Sequence, residues 1–96
     1  MVPLTDAVSF KAVLEQRGRF QVPRIVRWQF KLESSQVLLV NVRPVGSLVS
    51  EEEFFVNMRR DGRITIPKVI LGLLAESLEE GESLAGAILK VRLSPA

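Results

Sequence analysis

Two stretches of the chain match each other at a constant offset of forty-four residues. Phe10, Gly18, Arg19 and Pro23 correspond to Phe54, Gly62, Arg63 and Pro67. Gly18-Arg19-Phe20-Gln21-Val22-Pro23 aligns with Gly62-Arg63-Ile64-Thr65-Ile66-Pro67. Such a match means that one supersecondary unit is built twice. In a chain of 96 residues each half is too short to bury a core alone, so the halves must share one. The expected organisation is a single domain over 1–96. It consists of two tandem β-β-α-β repeats, 8–46 and 53–96, joined by a short acidic linker over 47–53.

The local pattern repeats in the same order. Ser9 to Leu14 reads as a strand and Glu15-Gln16-Arg17-Gly18 as a turn, with glycine free to take positive φ. Arg19 to Val22 reads as a second strand, which Pro23 ends and after which a helix can begin. Arg24 to Leu32 has helical spacing, with Ile25, Trp28 and Leu32 on one face and Arg24, Arg27 and Lys31 on another. Val37 to Val42 is the third strand. In the second copy Phe54 to Met58 is a strand, Arg59-Arg60-Asp61-Gly62 a turn with a strong hairpin signal, and Arg63 to Ile66 a strand. Lys68 to Leu78 reads as an apolar helix, and Ser83 to Leu93 contains the last strand. Leu39-Val40-Asn41-Val42-Arg43 aligns with Ile88-Leu89-Lys90-Val91-Arg92 at an offset of forty-nine.

Composition narrows the function. The chain has no cysteine and no histidine, and its carboxylates Glu51-Glu52-Glu53 and Glu79-Glu80 are consecutive, so their side chains diverge. A catalytic site and a metal cage are therefore not expected, nor are a cofactor or a small-molecule substrate. No run of eighteen apolar residues suggests a membrane span, and Met1 to Asp6 does not read as a secretory signal. The expectation is a cytoplasmic protein without a membrane partner.

Charge is uneven along the chain. Residues 1–48 hold seven basic against three acidic residues, and residues 49–96 six against eight. An anionic partner would be met mainly by the first half. Nine of the thirteen cations are arginine, whose fork suits phosphate and guanine. The cations available to such a partner are Arg17, Arg19, Arg24, Arg27, Lys31, Arg59, Arg60 and Arg63. Each has a plainer alternative. Arg19 and Arg63 can pair with Glu15 or Asp61, the turn arginines can be merely solvated, and the helical stripe can be a solubilising face. Trp28 reads as core. The second helix has surplus apolar surface, so a homo-oligomer contact through residues 68–78 is expected.

At Gly62-Arg63-Ile64-Thr65-Ile66-Pro67-Lys68 the sequence resembles the AbrB/SpoVT superfamily, whose members carry a Gly-Arg-apolar-x-apolar-Pro-Lys/Arg core. Pro23-Arg24 and Pro67-Lys68 both keep its final pair. The resemblance covers most of residues 8–45 and 53–94 and is similar to short tandem AbrB-like proteins of archaea. It implies a mainly β fold with two short helices, a swapped-hairpin barrel closed within one chain as an intrachain pseudo-dimer. Double-copy chains of the MraZ group are arranged that way, but their Asp-x-x-x-Arg signature is missing here. The resemblance also implies DNA binding and transcription regulation, or a small chromatin-type role. The motif arginine falls at Arg19 and Arg63 and the basic helix position at Arg27. The second copy has Leu71 there, and the basic first-strand position falls at Ala12 and Val56. Two other readings stand beside it. One is a protein-interaction module with decayed DNA binding. The other is an antitoxin, for which the chain lacks a tail beyond Ser94.

Overall fold

The computed structural model describes residues 7–45, 51–76 and 84–95. The order of elements is β1 (Val8–Val13), β2 (Arg19–Gln21), α1 (Arg24–Gln29), β3 (Val37–Pro44), β4 (Glu52–Asn57), β5 (Arg63–Thr65), α2 (Lys68–Ala75) and β6 (Ile88–Pro95). The fold is mainly β with two short helices, and strand, strand, helix, strand occurs twice.

The two copies pair with each other and not within themselves. β2 and β5 form an antiparallel ribbon with Phe20 opposite Ile64 at its centre. These are corresponding residues, so the ribbon is centred on an approximate twofold. The turns repeat that relation: Val22 N–H donates to the Gly62 carbonyl at 2.9 Å and Ile66 N–H to the Gly18 carbonyl at 2.8 Å. Gly18 and Gly62 both take positive φ, 70° and 85°, in the region that disfavours a Cβ. Pro23 and Pro67 precede the two helices with nearly equal φ, −54° and −57°.

The longer strands make a four-stranded antiparallel sheet in the order β1-β6-β3-β4. The sheet and the ribbon do not close into a continuous barrel, because the ladder ends at β1 and β4 while β2 and β5 pair only with one another. The registers correct one sequence alignment. Phe10 faces Val91 and its counterpart Phe54 faces Val40. Val40 is therefore the counterpart of Val91 (91 against 40), an offset of fifty-one and not forty-nine. Both alignments keep the inward alternation, so hydrophobicity alone does not separate them.

One core joins all layers. Phe20, Val22, Ile64 and Ile66 reach it from the ribbon side. Leu38, Val40, Val42, Leu89, Val91 and Leu93 reach it from the sheet, and every one of these ten is at least 99% buried. Phe10 comes within 6.4 Å of the Phe20 ring, tying β1 to β2. Glu52 and Glu53 belong to β4, so the acidic segment is only partly a linker; 46–50 lies outside the described residues. Leu78 and most of the stretch before Leu84 lie outside them as well.

Helix α1 is shorter than expected and turned differently. It buries Val26, with Leu32 beyond its end, while Ile25 and Trp28 are 68% and 76% exposed. Trp28 is therefore not a core residue. The helix is stopped by a Schellman turn: Leu32 N–H donates to the Arg27 carbonyl at 3.0 Å and Lys31 N–H to that of Trp28 at 3.4 Å. Lys31 carries the left-handed residue of that turn at φ 50°. It thus leaves the helical face that spacing assigns to Arg24, Arg27 and Lys31.

Candidate nucleic-acid interface

Each helix crosses onto the turn of the other copy. A Cβ added at Gly62 would collide with the guanidinium of Arg27, and one added at Gly18 with the side chain of Leu71. Arg27 and Leu71 are corresponding residues. The turn glycines therefore leave room for the partner copy's helix, in addition to allowing positive φ.

The exchange makes the two ends of the ribbon chemically unlike. At one end Arg27 lies over Gly62, with its Nε donating to the Val22 carbonyl at 3.2 Å. Arg59 and Arg60 of that turn line a groove with Arg27, Ser34 and Ser35, and with Glu33 as its acid. Both turn arginines are exposed, and neither is ion-paired to a described residue. At the other end the corresponding positions are Leu71, Glu15 and Gln16, with Arg17 where the Gly62 turn has Asp61.

The two motif arginines also diverge. Arg63 Nε donates to both Glu15 oxygens, at 3.0 and 3.3 Å, and Arg63 Nη1 to Asp61 at 3.2 Å. The Glu15 carboxylate, followed by that of Asp61, holds the Arg63 guanidinium above its ordinary pKa. The Arg63 backbone N–H donates to Asp61 Oδ1 at 3.1 Å, and this bond first, then the Arg63 side chain, lowers the Asp61 carboxyl. Arg63 is thus held in the structural pairing that the sequence offered as its alternative. Arg19 has no such partner, because the residue corresponding to Glu15 is Arg59. Its Nε is buried without a hydrogen bond.

The other expected residues are distributed as follows. Arg17 is exposed on the first turn, Arg24 is exposed at the start of α1, and Lys31 is exposed just beyond it. The structure brings Arg27, Arg59 and Arg60 together across the copies and leaves Arg17 on the opposite turn. The charge division by halves therefore misses the grouping, which combines a helix of the first copy with a turn of the second. Four further cations, Lys11, Arg43, Lys90 and Arg92, lie on the outer face of the four-stranded sheet. The alternation of Lys90 and Arg92 with buried residues marks two of them in the sequence, but only the strand register unites all four.

No group of three or more metal-ligating side chains is found among the described residues. No helix among them is long and apolar enough to cross a membrane. No protein-family model matches the sequence, and no curated protein matches it. The fold is similar to the solution structure of PHS018 from Pyrococcus horikoshii, with a TM-score of 0.74 at 18% identity, covering 99% of this chain and 94% of that one. At that identity the likeness is one of fold alone.

Proposed function

We propose that the protein is a double-stranded DNA binder of AbrB-like type, acting as a transcriptional regulator or small chromatin-type protein. Its two copies form one swapped-hairpin pseudo-dimer. The observation that carries this reading is the convergence of Arg27, Arg59 and Arg60, from different copies, around one groove with two serines. Arg59 and Arg60 are exposed and Arg27 half-buried, and none has a carboxylate partner among the described residues; such guanidinium groups suit phosphate oxygens, and serine hydroxyls add neutral donors. Arg24 and Lys31 extend the same basic end along α1. Recognition by few side chains favours shape over base edges, so sequence preference is modest. The test is an electrophoretic shift with random duplex at two salt concentrations, for the wild type and for Arg27→Ala/Arg59→Ala/Arg60→Ala. Loss of binding in the variant with retained melting temperature supports the reading. Equal binding by both sinks it.

A second reading has its own observation. Ile25 and Trp28 on α1, and Val69 and Leu73 on α2, are 68%, 76%, 75% and 40% exposed. Such apolar helix surface suits a protein partner or a second copy of the chain through residues 68–78. Sedimentation over a range of concentrations separates the two: a dimer broken by Val69→Asp favours the assembly reading.

A further inference from the structure

The outer face of the four-stranded sheet carries a row of cations that folding alone does not require. Lys11 on β1 faces Lys90 on β6, and Lys90 in turn faces Arg43 on β3. Three positive side chains thus stand abreast on neighbouring strands, at spacings of roughly 5 Å. Arg92 lies on the same face one rung along, between Ser9 and Asn41. All four line one shallow cavity. Like charges directly opposite one another destabilise a sheet. None of the four is ion-paired to a described residue.

Two ordinary explanations fit poorly. Lysines often blunt the edge of a sheet, but this row is centred on β6 and β3, the two interior strands. Intramolecular neutralisation is not supplied either. Glu51 lines the cavity, yet its carboxylate accepts the Asn41 side-chain N–H at 2.6 Å; Glu53 faces Asn41 from β4 on the same side, so two carboxylates stand near four cations and neither forms an ion pair with them. The sheet's inner face and the ribbon pack on one shared core. The cationic row lies on the outer face of the sheet and shares no lining residue with the Arg27, Arg59 and Arg60 groove.

We infer that this sheet face is a second phosphodiester-binding surface, which holds a nucleic-acid backbone independently of the groove and lets one molecule bridge two duplexes. Charge complementarity selects the occupant: a flat row of long, flexible cations flanked by Ser9 and Asn41 matches closely spaced phosphates. The bridging part rests on the DNA-binding reading above; the sheet-face part does not.

The experiment compares the wild type with a sheet variant, Lys11→Gln/Arg43→Gln/Lys90→Gln/Arg92→Gln, and with a groove variant, Arg59→Ala/Arg60→Ala. Each is titrated into a fluorescent duplex at several salt concentrations. Each is also tested for joining that duplex to an unlabelled one on beads. Both variants should still bind a single duplex, and both should lose capture of the second. The sheet variant should melt at the same temperature as the wild type or higher, because repulsion has been removed. Full capture by a folded sheet variant overturns the proposal. A groove variant with no residual binding also overturns it while leaving the DNA-binding reading intact. If instead the groove variant binds and bridges like the wild type while the sheet variant binds nothing, the groove reading fails and the sheet face stands. A wild-type dimer that the sheet variant abolishes would show a second copy covering the face and would overturn the proposal.

Discussion

The two ends of the β2–β5 ribbon share a backbone and differ in nearly every charged side chain. Both have a glycine at positive φ, the same turn hydrogen bonds and a helix from the other copy laid across the turn. At the Gly62 end the crossing side chain is Arg27, beside Arg59 and Arg60. At the Gly18 end it is Leu71, beside Glu15 and Gln16. The glycine, the proline and the apolar strand positions are retained in both copies, because the fold needs each of them twice. Where the fold leaves freedom, the Gly62 turn keeps Arg59 and Arg60 without an ion-pair partner among the described residues beside the Arg63–Asp61 pair, and the Gly18 turn gives its Glu15 to Arg63. An arginine held by both Glu15 and Asp61, as Arg63 is, has few donors left for a ligand.

The comparison breaks most completely if either copy folds alone. Residues 1–48 expressed by themselves should be unfolded or aggregated, since β1, β2 and β3 all find partners in the second copy. A monomeric half that unfolds cooperatively in urea would contradict this.

The turn glycines give the next largest effect and sharpen the difference between the ends. Gly18→Ala should cost roughly 2–5 kcal/mol, from the left-handed backbone together with a Cβ driven into Leu71, which packs against the core. Gly62→Ala meets only the far end of a flexible arginine and should cost about 1–2 kcal/mol, chiefly for φ. Urea denaturation of the two variants measures the gap. Equal losses would mean that the two crossing contacts are equally rigid.

Lys31→Gly should stabilise the chain by about 1 kcal/mol, because glycine accepts the left-handed position without a Cβ penalty. Thermal melting reads this. Should the same variant also weaken DNA binding, Lys31 is kept at the position for its charge.

The smallest effect is a pH dependence at the Arg63–Asp61 pair of the Gly62 turn. The folded Asp61 carboxyl is held below its ordinary range, first by the Arg63 backbone N–H and also by its side chain. Its contribution is therefore present above the unfolded pKa, near 4, and is lost as pH falls through the lower folded value. Asp61 is exposed, so the change is slight. Comparing melting temperatures at neutral and strongly acidic pH for the wild type and Asp61→Asn isolates it. A larger acid loss in Asp61→Asn than in the wild type would reverse the sign.

Much of the scaffold was legible in the residues. The paired Gly-Arg-x-x-x-Pro segments located both short strands, both turns and both helix starts, because glycine and proline restrict the backbone locally. The sequence offers Glu15 and Asp61 to the motif arginines, and Arg63 uses both. What was not legible depends on contacts between the copies. The Asp61-Gly62 turn forms, but β5 ladders with β2 and not with β4. The offset of the last strands slipped by two residues because a two-residue shift preserves the inward pattern. Spacing with Ile25 and Leu32 gives Trp28 a place in the core. A six-residue helix ended by a Schellman turn breaks that face and points Val26 inward. The basic groove escaped any division into halves, since its arginines come from a helix of one copy and a turn of the other.

The most direct test removes the two unpaired arginines of the Gly62 turn in one variant and Arg17 with the ion-paired Arg63 in another, and measures the salt dependence of duplex binding. The wild-type slope of log K against log salt should be roughly −4 to −5, for four to six phosphates at about −0.9 each. Arg59→Ala/Arg60→Ala should flatten it by about two units while leaving the melting temperature unchanged. Arg17→Ala/Arg63→Ala should lower the melting temperature slightly and flatten the slope by about one unit or less. Equal flattening by the two variants, or no salt-dependent binding by the wild type, would contradict the assignment of DNA to the Arg27, Arg59 and Arg60 end.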